Sequence, residues 1–101
     1  MKVYGYCRIS TSKQSMERQI RNIKLAYPDA VIVKETYTGT IIQGRKEFEK
    51  LLKIVSTDDT LVFDSVSRMS RTAQEGYEMY QKLYNQGVSL VFLKEPHIPI
   101  F

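Results

Sequence analysis

The feature that most constrains this chain is the regular alternation of short apolar segments with longer stretches whose apolar residues recur every three or four positions. Val3 to Arg8 reads as a first strand. Residues 13 to 26 carry Met16, Ile20, Ile23 and Tyr27 at helical spacing, with Ser12 as the N-cap and Pro28-Asp29 as the stop. Val31-Ile32-Val33 opens a second strand, and Thr38 to Gly44 reads as a loop with two glycines. A second helix from Lys46 to Val55 places Phe48, Leu51, Leu52 and Val55 on one face. Asp58-Asp59 turns the chain into a third strand, Thr60 to Asp64. A third helix, starting near Ser70 or Thr72, presents Ala73, Tyr77, Tyr80 and Tyr84, and Gly87 suits its C-terminal cap. Val88 to Leu93 is a fourth strand, apolar enough for burial on both faces.

Strands separated by helices pair through crossovers, which make them parallel. The order βαβαβαβ therefore predicts an α/β fold of three layers: a mostly parallel sheet of four to five strands with helices on both faces. A length of 101 residues bounds the chain to one domain, 1–101, with one core. The single Cys7 excludes an internal disulfide and points to a reducing cytoplasm. No apolar run approaches the ~18 residues of a membrane span, and the N-terminus has no signal-peptide stretch.

In sheets of this kind ligands gather at the carboxyl ends of strands. Three segments with chemistry lie there: Arg8 to Ser12, the glycine loop, and Ser65 to Arg71. Side chains alternate along a strand, so Arg8 and Ser10 face one space if the first strand continues that far. Ser12, by contrast, reads as a helix cap. Arg68 and Arg71, three apart, share a helix face and can bind two phosphate oxygens each. Their alternative is a surface role, pairing with acids such as Glu75. Arg45, at the head of the second helix, would alone read as a surface residue.

The charge is +4 overall, and the segment from Arg8 to Lys24 carries that whole excess, with five cations against Glu17. Such a run suits a phosphate-facing surface, although a solvated helix face is the commoner explanation of it. There is no Gly-x-Ser-x-Gly elbow, and the only histidine, His97, lies between prolines near the C-terminus, so a Ser-His-Asp triad is a poor fit. Four arginines around one serine, without a histidine or metal cluster, suit the stabilisation of a phosphorane-like state by fixed guanidinium groups.

These residues resemble the resolvase/invertase family of serine site-specific recombinases. The resemblance runs through Tyr4-Gly5-Tyr6-Cys7-Arg8-Ile9-Ser10-Thr11-Ser12-Lys13-Gln14, Gln19, Glu35 with Gly39, and Gly44-Arg45-Lys46. It continues through Leu61-Val62-Phe63, Ser67-Arg68-Met69-Ser70-Arg71, and the last strand. It implies Ser10 as the nucleophile that breaks DNA strands through a transient 5′-phosphoserine link. Arg8, Arg45, Arg68 and Arg71 would be the catalytic arginines, and Lys13, Gln14 and Gln19 DNA-binding residues. It implies double-stranded DNA as partner, a homodimer and tetramer as working assemblies, and no metal, ATP or other cofactor.

The chain departs from the family at Ser67, where an acidic residue is common, and at Ile54, where a lysine is frequent and Lys53 precedes it. Family members continue into a dimerisation helix and a DNA-binding domain, so the chain resembles the catalytic core of a longer protein. Alone it is expected to bind DNA weakly, with apolar surface near Ile98, Ile100 and Phe101 left uncovered. Residues 38 to 45 are expected to be its most mobile internal segment, with Arg45 far from Ser10 when no DNA is bound. Two rivals remain: a non-catalytic module of the same fold that binds DNA backbone or a partner, and a flavodoxin-like nucleotide binder. The second lacks a glycine-rich loop after the first strand.

Overall fold

The computed structural model describes residues 2–9, 13–36, 46–65 and 73–95. Seven elements follow in the expected order: β1 (Val3–Ile9), α1 (Lys13–Ala26), β2 (Val31–Thr36), α2 (Lys46–Ile54), β3 (Thr60–Phe63), α3 (Ala73–Asn85) and β4 (Ser89–Phe92). The four strands are all parallel, in the order β2-β1-β3-β4.

The chain moves outward from β1 to β2, then crosses back over β1 to begin β3 on its other side. The direction of winding reverses between β1 and β3. Crevices at such a reversal are the customary ligand sites of parallel sheets, because the two crossovers leave the strand ends there uncovered.

Alternation along the strands sorts the core into two clusters. Tyr4 and Tyr6 of β1, Leu61 and Phe63 of β3 and Phe92 of β4 face α2 and α3, meeting Phe48, Leu51, Val55 and Leu83. Aromatic rings fill this side: Tyr6 lies 4.7 Å from Phe48 between centroids, and Phe63 stacks on Phe92 at 5.3 Å. Cys7 and Val62 face the other way, toward Met16 and Ile23 of α1. Gly5 lets α1 come close, since a Cβ there would stand 2.7 Å from Cγ2 of Ile23. Lys24 holds the exit of α1 by donating to the carbonyls of Pro28 and Ala30 at 3.3 and 3.0 Å.

The tyrosines of α3 divide between core and solvent: Tyr84 is 63% exposed and Tyr77 is also exposed, while Tyr80 packs against the core beside the buried Leu83. Tyr80 also stacks on Tyr84, at 6.2 Å between centroids. Spacing identified the helix but not its phase, because large amphipathic tyrosines can cover a rim with their hydroxyls in water. The fourth strand is not buried on both faces. It is an edge strand, and Leu90 and Val91 are only half-buried where Val88 and Phe92 are enclosed.

Candidate active site

At the carboxyl ends of the strands the described structure becomes polar inside. Arg8, Glu35, Asp64 and Ser65 are buried there, together with Gln19 from α1. Arg8, Gln19, Glu35 and Asp64 each have a local reason.

Arg8 shares its face of the sheet with Tyr4 and Tyr6 and is 8% exposed. Its backbone turns toward β3, as does that of Lys2, whose carbonyl accepts from Thr60. The pairing of β1 with β3 ends at Tyr6 opposite Phe63, so no strand remains to take the peptide groups of Arg8. Gln19 supplies what is missing. The Arg8 N–H donates to Gln19 Oε1 at 3.0 Å, and Gln19 Nε2 donates back to the Arg8 carbonyl at 3.1 Å. A side-chain amide thus stands in for a peptide of the absent strand and fixes the end of β1.

Glu35 lies opposite Arg8 in the register of β2 with β1. Its carboxylate, 4% exposed, accepts from three donors. Oε1 takes the Tyr6 hydroxyl and the Phe48 N–H, both at 2.9 Å, and Oε2 takes the Glu47 N–H at 3.3 Å. The last two belong to the first turn of α2, whose N–H groups have no acceptor within the helix and favour a negative charge. One carboxylate therefore joins β1, β2 and the start of α2, and its three donors offset the cost of burying it.

Asp64 follows β3 and turns to the α1 side. Its Oδ1 accepts from Asn22 Nδ2 at 2.9 Å, and its Oδ2 pairs with Lys94 Nζ at 3.3 Å.

Of the residues singled out by sequence, Arg8 is at the crevice, two positions before Ser10. Lys13 and Gln14 open α1. Gln19 does not face a surface that DNA can reach: at 1% exposed it acts on the Arg8 backbone, a correction to its expected DNA contact. Ser10, Ser12, Arg45, Arg68, Arg71 and the loop over 38 to 45 lie outside the described residues. In sequence, Ser10 follows β1, Arg45 precedes α2, and Arg68 and Arg71 fall between β3 and α3.

Asn22 and Asp64 were not singled out at all. The signal was present, since Gln19 and Asn22 interrupt the apolar face that Met16, Ile20 and Ile23 give α1. Among the described residues no group of three His, Cys, Asp or Glu side chains could hold a metal ion. A hollow of about 530 Å³ beside Tyr80, Tyr84 and Leu90 lies at the far end of the sheet, and its described lining residues carry no charge.

Comparison with known proteins agrees with this arrangement. Residues 3–100 match the family described as the resolvase N-terminal domain. The chain is 32% identical over 93 residues to the transposon Tn21 resolvase of Escherichia coli, covering 90% of this chain and 46% of that protein. It is 33% identical over 93 residues, with the same coverage, to the Tn501 resolvase of Pseudomonas aeruginosa. It thus spans about half the length of these relatives. Among solved structures, a resolvase family site-specific recombinase from Streptococcus pneumoniae superposes with a TM-score of 0.70 at 29% identity, over 95% of this chain and 74% of that one. The N-terminal catalytic domain of TP901-1 integrase shares the fold, with a TM-score of 0.72 at 18% identity over 95% of this chain and 79% of that one. A parallel sheet with buried polar side chains at the carboxyl ends of its strands, and a family match along almost its whole length, make this chain a member of the resolvase N-terminal domain family.

Proposed function

We propose that this domain cuts and rejoins DNA strands in site-specific recombination, with the Ser10 hydroxyl as nucleophile. Its Oγ forms a bond to the scissile phosphorus as the bond to the 3′ oxygen breaks. The proton lost by the serine is balanced by the one the 3′ hydroxyl gains. The resulting 5′-phosphoserine ester keeps the linkage energy for the reverse attack by a new 3′ hydroxyl.

Arg8, Arg68 and Arg71 hold the phosphate and stabilise its added negative charge, and Arg45 joins them from the head of α2. Lys13 and Gln14, on the first turn of α1, contact the DNA backbone where free N–H groups already favour phosphate. Gln19 positions Arg8 and, through it, Ser10. Strand exchange takes place between such domains assembled on duplex DNA as dimers and tetramers, in the cytoplasm.

The observation that carries this reading is Arg8 itself, clamped by its backbone at the reversal point of the sheet and two residues before a serine. Ser10→Ala in the full-length protein should abolish the covalent protein–DNA adduct while folding and duplex binding stay close to the original. An adduct that persists in the alanine variant sinks the assignment.

A further inference from the structure

We propose that Asn22 and Asp64 are positioning residues, which together with Lys94 set the spacing between the two limbs of the active site. The proposal rests on the reading of Ser10, Arg68 and Arg71 given above.

Strands β1 and β3 last pair at Tyr6 and Phe63. One continues toward Ser10, the other through Asp64 and Ser65 toward Arg68. From there on, α1 holds each of them separately. Gln19 grips the backbone of Arg8, and Asn22 donates to Asp64 Oδ1 at 2.9 Å. Gln19 and Asn22 are three residues apart on one face of a single helix, so their attachment points differ by about 4.5 Å along a stiff axis. The helix works as a gauge between the two strand ends.

The Asp64 end is fixed from a third direction. Lys94 donates its backbone N–H to the Asp64 carbonyl at 2.9 Å and pairs its ammonium with Oδ2 at 3.3 Å. The Asp64 side chain is 2% exposed and that of Lys94 55%. An ion pair with one partner buried and the other half in solvent adds little net stability over apolar packing, and the rest of β3 is apolar at Leu61-Val62-Phe63. What it adds is geometry: a charge with directional partners admits one placement where a leucine admits several. That placement lies four residues before Arg68.

The test is single-turnover formation of the covalent adduct by the full-length protein, on a plasmid carrying its gene with the flanking DNA. Duplex affinity and thermal unfolding are measured alongside. Asn22→Ala and Asp64→Asn should each slow adduct formation at saturating DNA by roughly 10- to 100-fold, the scale of an ångström's misplacement, with affinity changed no more than about twofold. Asn22→Asp sets two carboxylates against each other and should be slower still. Combining it with Asp64→Asn exchanges donor for acceptor and should restore the rate at least about tenfold over the single Asn22→Asp variant. Should Asp64→Asn fail to fold, the half-buried Asn22→Ala carries the test alone. Unchanged rates in the single variants, or no rescue in the swap, overturn the proposal so long as Ser10→Ala is inactive. No adduct from the unaltered protein, or one that survives Ser10→Ala, overturns the reading of Ser10 and the ground of this proposal with it.

Discussion

The two ends of the sheet are closed in different ways. At the amino ends of the strands the ties are mostly backbone and turn. Thr60 N–H reaches the Lys2 carbonyl, Ser89 N–H the Asp59 carbonyl, and Asp58 N–H the Gly87 carbonyl. Two positive φ angles, 76° at Asp58 and 84° at Gly87, shape these turns. At the carboxyl ends, beside the backbone bonds of Leu93 and Lys94 to Phe63 and Asp64, side chains far apart in sequence add ties: Gln19 to Arg8, Glu35 to Tyr6 and Phe48, Asn22 to Asp64. Of the six buried polar or charged side chains among the described residues, only Asp59 belongs to the amino end. One end depends on backbone shape and the other on chemical identity. Substitutions at the first should alter stability alone, and at the second stability and catalysis together.

Glu35→Ala should have the largest effect. It leaves the Tyr6 hydroxyl and two N–H groups of α2 without their acceptor, costing about 2–4 kcal/mol in urea unfolding and most of the strand cleavage. An unmoved unfolding midpoint would remove Glu35 from the comparison. Gln19→Ala should cost about 1–3 kcal/mol, since it removes a hydrogen bond from each peptide group of Arg8, and cleavage should fall further than DNA affinity. Equal losses of both would mean that Gln19 serves the fold alone.

Gly87→Ala tests the opposite end. The new methyl would stand 2.9 Å from Cγ2 of Thr57 at a φ of +84°, for a cost of about 1–2 kcal/mol. Cleavage at saturating DNA, measured well below the melting temperature, should match the unaltered protein. A loss of rate there would show that the two ends are coupled.

The smallest effect belongs to Asp59. The backbone N–H groups of Ser56 and Lys2 donate to its carboxylate and hold its pKa below the ordinary 3.8. The stability it contributes is present above pH 3.8 and is lost as pH falls through the lowered value. Asp59→Asn should therefore unfold less steeply with acid below about pH 4 than the unaltered protein, as circular dichroism would read it. Parallel acid curves would show that the turn does not depend on the charge.

The order of elements was legible because it depends on periodicity, and the helix of residues 13 to 26 was read to its ends. The inner phase of α3 was not, because tyrosines at helical spacing cannot say whether they face a core or a rim. Arg8 and Glu35 were recognisable through resemblance. The task of Glu35 was not, since its partners sit on β1 and at the head of α2, twelve or more residues away. The resemblance implies a DNA contact for Gln19, because it marks a polar position without saying what that position touches. Only the place where β3 stops shows that a peptide of β1 needs it more. Asn22 and Asp64 depend likewise on the divergence of two strands, which no local pattern records.

Gly5 lies on the α1 side of β1, three residues before Arg8 and away from the aromatic core. Its single hydrogen decides how deep α1 sits, with Ile23 already pressed against the strand. A methyl in that place would lift the helix by a sizeable fraction of an ångström, and Gln19 and Asn22 would rise with it. Hydrogen bonds of about 3 Å tolerate only a few tenths of that before they weaken. The tolerance of the proposed site is thus set from beneath the sheet, by the smallest residue available, on the face of β1 opposite Arg8.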